Sequence, residues 1–367
     1  MAEIHDLILE LGHEGARERM PAELAAGLDP RKPAHARELV RLRCDWERRV
    51  DWAADIMARE HLRRNWLHSG FCLVALPHTK PRETTRAYSL KNGAFKLILT
   101  PKPLDTDDEG NPVYAGLPYG SKARLILVYL QTYAIRHKTK HIVLGDSMTS
   151  WIRKLGFDNI TGGERGVITA VNEQAKRISR TEFTMIWDQG QRRVLRDQAL
   201  VKGLELFAER HPPEPVHQQT NLLGADDTIS PRRRRRYSWV REIEISDDFY
   251  EHLTTHKIVL AEEAIARLKG SSWALDVYLW LSYRLRSVDR ETPPITWQQL
   301  RQQFSPNHYK GNINVFRTKV MEPALRDVQA VYPQATFRIT DRGVVLLPSD
   351  PPMATGSQVV VRLPRAG

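Results

Sequence analysis

Asn312, Asn314 and Arg317 lie close together, with Lys310 and Lys319 on either side. These side chains suit the hydrogen-bonding pattern of nucleic acids, in which Arg matches guanine, Asn matches adenine and Lys meets phosphate oxygens. An earlier segment carries Thr169, Lys176, Arg177 and Arg180, with the same donor chemistry on one helical face. Arg192, Arg193 and Arg342 stand at turns between apolar runs, where contact with phosphate is expected rather than with bases. A block of five arginines, Arg232, Arg233, Arg234, Arg235 and Arg236, suits either a phosphate-gripping arm or a solvated charge run. Its place between two similar units favours the arm.

The elements that must position these residues occur twice in one order. In the first unit, Leu125, Ile126, Tyr129, Leu130 and Tyr133 recur at helical spacing within Ser121 to Arg136. Asp146 is the expected cap of a helix over Ser147 to Leu155, and Gly156 its stop. A third helix from Arg165 to Arg180 buries Ile168, Val171, Ala175 and Ile178, leaving the basic set outward. A hairpin follows, Phe183 to Trp187 and Arg192 to Leu200. The second unit opens on a strand, Trp239 to Ile245, and a helix capped by Ser246. Helices over Ser272 to Leu285, Thr296 to Phe304 and Asn312 to Val328 precede a hairpin built around Asp341-Arg342-Gly343. Helices followed by a hairpin place a recognition helix beside a wing, so the expected fold class is α+β, two tandem winged-helix domains with an extra helical N-terminal region.

The expected divisions are 1–70, a helical region; 71–208, the first winged-helix domain with preceding strands; 209–237, a Pro/Arg-rich linker; 238–350, the second domain; and 351–367, a flexible tail. Ala34 to Leu67 reads as helix, with Trp46, Trp52 and Trp66 as anchors, and Phe71 to Leu76 and Phe95 to Leu99 as strands. The acidic run Asp105 to Pro112 reads as a solvated turn.

A formal charge of +11 and a pI near 9.7 favour a polyanionic partner, through release of condensed counterions. Cys44 and Cys72 are too few for a disulfide framework and lack zinc spacing, which points to a cytoplasmic setting. Met1 to Leu11 lacks the pattern of a signal peptide, and no run reaches the roughly 18 apolar residues of a membrane span, so no membrane partner is expected.

Catalysis finds little support. His137/His141 and His252/His256 have the spacing of a helical ligand pair but lack the glutamate of HExxH. No GxxxxGK[ST] loop is present, and no two histidines are separated by a single residue, so ATP hydrolysis and tyrosine-based nicking are not expected. A nuclease using Asp146, Asp158 and Glu164 is a further alternative, although these read better as cap and loop residues. No cofactor and no metal are expected.

Tyr119-Gly120-Ser121-Lys122-Ala123-Arg124-Leu125-Ile126-Leu127, then Ile142 through Ser147, Leu155-Gly156, and Thr161-Gly162-Gly163 leading into Ile168-Thr169 resemble plasmid replication initiators of the RepA type over roughly residues 115–200. The run Phe316 to Leu325, with its internal Pro323, is similar to the recognition helix of iteron-binding initiators. The resemblance implies a non-catalytic protein that binds repeated double-stranded DNA sites at a plasmid origin and melts nearby duplex. It also implies a dimer in some states and contact with a host replication initiator and helicase. The alternative is a winged-helix repressor of its own promoter, which needs the same helices. Nothing in the resemblance accounts for Ala34 to Leu67.

Overall fold

The computed structural model describes residues 4–188, 193–202, 242–305, 309 and 311–352. In chain order its helices are α1 (Ile4–Glu18), α2 (Pro33–Met57), α3 (Gly70–Leu73), α4 (Gly120–His137), α5 (Met148–Lys154), α6 (Val167–Ser179), α7 (Asp247–His256), α8 (Glu262–Leu268), α9 (Ser272–Arg284), α10 (Trp297–Phe304), α11 (Ile313–Phe316) and α12 (Glu322–Val331). A π-helical turn, Arg317–Met321, joins the last two. The strands are β1 (Arg64–His68), β2 (Tyr88–Asn92), β3 (Phe95–Pro101), β4 (Pro103–Thr106), β5 (Pro112–Tyr114), β6 (His141–Val143), β7 (Thr181–Asp188), β8 (Arg193–Ala199), β9 (Val201–Lys202), β10 (Glu242–Ile245), β11 (Lys257–Ala261), β12 (Ile295–Thr296), β13 (Phe337–Ile339) and β14 (Gly343–Leu346). The fold is α+β, with small antiparallel sheets set among helices.

Both helix-and-hairpin orders are present: α4, β6, α5, α6, β7, β8 and then α9, β12, α10, α11 to α12, β13, β14. The hairpin β7–β8 is not isolated, because β3 pairs with β7 and β2 with β3, giving a four-stranded sheet. The second hairpin is joined by β12 in the order β12-β14-β13. Gly343 permits that junction, since a Cβ there would lie 1.9 Å from Ile295 O.

Long-range pairing cuts across the expected divisions. Strand β10, from beyond the arginine block, inserts between β6 and β9, with Ile243 opposite Ile142. Strand β1 pairs with β11 from Arg64↔Ala261 to His68↔Lys257, so the helix expected over Ala34 to Leu67 ends at Met57. Phe71 to Leu76 is also not a strand: a short helix over Gly70–Leu73 packs Phe71 and Cys72 into the core. Local apolar runs cannot reveal such partners, because strand and buried helix share that signal when short. One large apolar core runs from Ile56 to Leu346 through both units. A second, small one lies between α1 and α2.

Caps explain several boundaries. Ser147, rather than the expected Asp146, accepts from Ser150 N at 3.1 Å and starts α5. Ser246 caps α7 through Phe249 N, and Thr296 with Gln299 forms a reciprocal capping box on α10.

Candidate nucleic-acid interface

In the second unit, Phe316, Met321, Leu325 and Val328 are completely buried and fix the helix that runs from α11 to α12 against the core. Its first turn is outward. Asn314 is exposed, while Asn312 acts as the cap, accepting from Val315 N at 3.0 Å. Arg317 is bound on three sides: Nε donates to Glu322 at 2.7 Å, Nη2 donates to Asp341 at 3.0 Å, and the guanidinium lies 5.3 Å from the Trp297 ring centre. It therefore ties the helix to the β13–β14 turn, where Arg342 is exposed. Trp297 Nε1 also donates to Asp341 O at 3.0 Å, holding the same turn to α10. Lys319 is exposed and its Nζ lies 3.3 Å from Glu38 of α2. Lys310 falls outside the described residues.

In the first unit, Thr169 and Arg180 are exposed at opposite ends of α6, with Lys176 half-buried between them. Thr169 Oγ1 donates to Gly163 O at 2.7 Å and closes the preceding loop. Arg177 departs from expectation. It is only 4 % exposed, donates to Leu117 O at 3.0 Å and to Glu173 at 2.9 Å, and packs on the Tyr119 ring. The helical stripe is wider than the sequence period suggested, so Arg177 fastens α6 to the 117–119 segment instead of facing outward. Arg193 begins β8, whereas Arg192 and the block Arg232, Arg233, Arg234, Arg235 and Arg236 lie outside the described residues.

A basic cleft of about 620 Å³ between α4, α5, α8 and the end of α2 was not anticipated. Arg59, Arg63, Arg136, Arg153, Lys154 and Lys269 line it, but Asp55, Glu262 and Glu263 pair with several of these. The adjacent Arg153 and Lys154 before Gly156 were the sequence signal for it.

The residues considered for catalysis do not converge. His137 closes α4 while His141 starts β6. His252 and His256 do share α7, with ring centres 4.1 Å apart, and His68 reaches His252 at 2.7 Å. Among the described residues, no group of three His, Cys, Asp or Glu side chains is placed to hold a metal ion. Asp146, Asp158 and Glu164 are all exposed loop residues. No helix among the described residues is long and apolar enough to cross a membrane.

Comparison with known families matches the model described as plasmid encoded RepA protein to residues 117–214 and 224–299. The matched region belongs to the RepA family. That membership supports a role in plasmid replication initiation. The matched part includes the α4 and α5 motifs and stops before the helix that begins at Ile313. Searches of curated proteins and of solved structures return no match.

The family motif gains a structural explanation here. Arg124, in the first run of the RepA resemblance, is 3 % exposed and grips Asp276 of α9 through two hydrogen bonds. It also donates to Leu76 O, Pro77 O and Gly120 O. The motif thus locks α4 of the first unit to α9 of the second.

Proposed function

We propose that this chain initiates plasmid replication by binding repeated duplex sites at the origin through two winged-helix units, without itself catalysing a reaction. The observation that carries this reading is in the second unit: the exposed first turn of its third helix lies beside the β13–β14 turn, and Arg317 bridges them. A helix whose N-terminal residues point outward next to a strand turn is the arrangement that puts base readers in a major groove and a wing over phosphate. Asn314 is the base reader in this proposal, Arg342 and Lys319 hold phosphate, and Arg317 sets the angle between helix and wing.

The first unit contributes Thr169, Lys176 and Arg180 from α6, with Arg192 and Arg193 at its hairpin. Arg232 to Arg236 join the two surfaces as a phosphate-gripping arm. The units are proposed to share their cores: β10 belongs with the first unit and β1 with the second, so the two dock as a pair. Dimerisation and contacts with a host replication initiator and helicase complete the proposed role.

Binding of the purified chain to duplex taken from around its own gene tests this reading. Asn314→Ala is expected to weaken the preferred site by about 1–3 kcal/mol, as for loss of a base-edge contact, and to leave random duplex nearly unchanged. Equal losses on both duplexes would remove Asn314 from base reading.

A further inference from the structure

The α1–α2 pair lies on the side of α12 that faces away from the main core. Leu325 and Val328 are completely buried in the main core. Asp327 and Ala330 each follow one of them by two positions, about 200° around the helix, and so point away from that core. Yet Ala330 is 0 % exposed, because Trp46, Val50 and Ala53 of α2 and Ile4 and Leu7 of α1 close over it. Arg49 reaches Asp327 at 2.7 Å, Arg48 reaches it at 3.2 Å, and His5 Nε2 lies 3.3 Å from Ala330 O. Nearer the start of the recognition helix, Glu38 holds Lys319 at 3.3 Å. Since residue 38 faces 319 and residue 49 faces 327, α2 runs alongside the recognition helix in the same direction.

This contact is thin and electrostatically mixed. The α1–α2 core is separate from the main one, and Ala330 is the one buried residue in it from outside the pair among the described residues. Three guanidinium groups, Arg48, Arg49 and Arg326, crowd the carboxylates of Asp327 and Glu322, and Glu322 is already shared with Arg317. Arg326 Nε is buried without a hydrogen-bond partner. An unmade bond of that kind opposes docking. At the other end the pair is anchored, since Ile56 enters the main core and Asp55 pairs with Arg267 of α8. The arrangement is that of a flap fixed at the end of α2 and held along its length by a few pairs that phosphate could replace.

We propose that the α1–α2 pair is a displaceable cover on the second recognition helix, which duplex DNA must push aside for full docking. The proposal rests on the second unit being a DNA reader. Lys319 and Arg326, released from Glu38 and from the crowded Arg49, would then meet phosphate. The cover would give the otherwise unassigned N-terminal helices a role: holding the helix in a weakly binding state until a sufficient polyanion competes.

A cross-link tests it in the full chain. Glu38→Cys and Lys319→Cys, made in a Cys44→Ser background, are joined by a cleavable bis-maleimide, and affinity for duplex from around the gene is measured before and after cleavage. The cover predicts binding roughly tenfold weaker while linked, recovering on cleavage. Equal affinity in the two states overturns it. Recovery within one preparation also separates this effect from misfolding. Arg49→Glu supplies an opposed sign: loss of positive charge by itself lowers affinity, whereas a loosened cover raises it by roughly several-fold. A fall in affinity with Arg49→Glu counts against the proposal. Asn314→Ala and Arg342→Ala, measured alongside, distinguish the two ways of failing. If these weaken binding while the cross-link does not, the unit reads DNA and the cover is refuted; if no change alters binding, the underlying reading fails and the cover with it.

Discussion

Arg124 and Asp276 meet as a doubly hydrogen-bonded pair, Nε to Oδ1 at 2.6 Å and Nη2 to Oδ2 at 2.5 Å, with both residues buried. One sits in α4 of the first unit and the other in α9 of the second. His78, stacked on Trp273 at 3.4 Å, places Nε2 3.6 Å from the same carboxylate and Nδ1 3.0 Å from Ser272 Oγ. This buried ionic contact therefore joins the shared apolar core and the β6–β10 pairing in fixing one proposed DNA-binding surface relative to the other.

Arg124→Ala or Asp276→Ala is expected to cost about 3–5 kcal/mol, because each leaves the partner's charge buried and unpaired. Replacing both with apolar residues of similar volume, Arg124→Met with Asp276→Leu, should cost less than the sum. Denaturant midpoints of the two single variants and the double variant check this, and additive losses would show that the pair is not coupled.

Arg177→Ala should act on stability rather than on binding. Its guanidinium holds Leu117 O, Glu173 and the face of Tyr119, so its removal loosens α6 from the loop that leads into α4. The expected loss is about 1–3 kcal/mol for a buried, charge-assisted network. Native stability with reduced DNA affinity would return Arg177 to the interface.

Arg342→Ala is expected to lower affinity for every duplex, with the slope of log K against log salt falling by about one unit. Arg317→Ala should differ from it, reducing both thermal stability and site preference, since it frees the β13–β14 turn from the helix. Titrations at several salt concentrations separate the two, and an unchanged slope for Arg342→Ala would take that turn out of the interface.

How much of this was legible beforehand differs by residue. The Ser246 cap and the burial of Val171, Ala175 and Ile178 follow from local spacing, whereas Thr296 and Asn312, expected as the first residues of their helices, are the caps instead. Arg177 sits at the edge of the buried stripe, three positions after the buried Gln174, and the Leu117 carbonyl that captures it is 60 positions away, beyond the reach of local spacing. Arg124 gave no sign of its partner, for a lone arginine in an apolar helix carries no information about a carboxylate 152 residues later. The partners of β1 and β10 were hidden in the same way. Short strands show their pairing only once the chain has folded back on itself.

Acid should weaken the fold through His68. Its ring is buried, Gly70 N donates to Nδ1 at 3.0 Å, and Nε2 donates to His252 Nδ1 at 2.7 Å. Burial, with His252 and His256 nearby, lowers its pKa from 6.5 to about 3. The unfolded chain takes up this proton first, so the stability present above about pH 6.5 is lost as pH falls from there towards about 3, at up to about 1.4 kcal/mol per unit. His5, lowered to about 4 by burial, acts in the same direction. Urea midpoints across this window should fall less steeply in His68→Gln than in the native chain, and parallel curves would remove His68 as a source.

Footprinting the full chain on the DNA surrounding its own gene tests the central claim most directly. The proposal of origin binding predicts protection of several short direct repeats beside an A·T-rich stretch, weakened throughout by Asn314→Ala. Protection confined to a single inverted repeat over the promoter, or no protection at all, would contradict it.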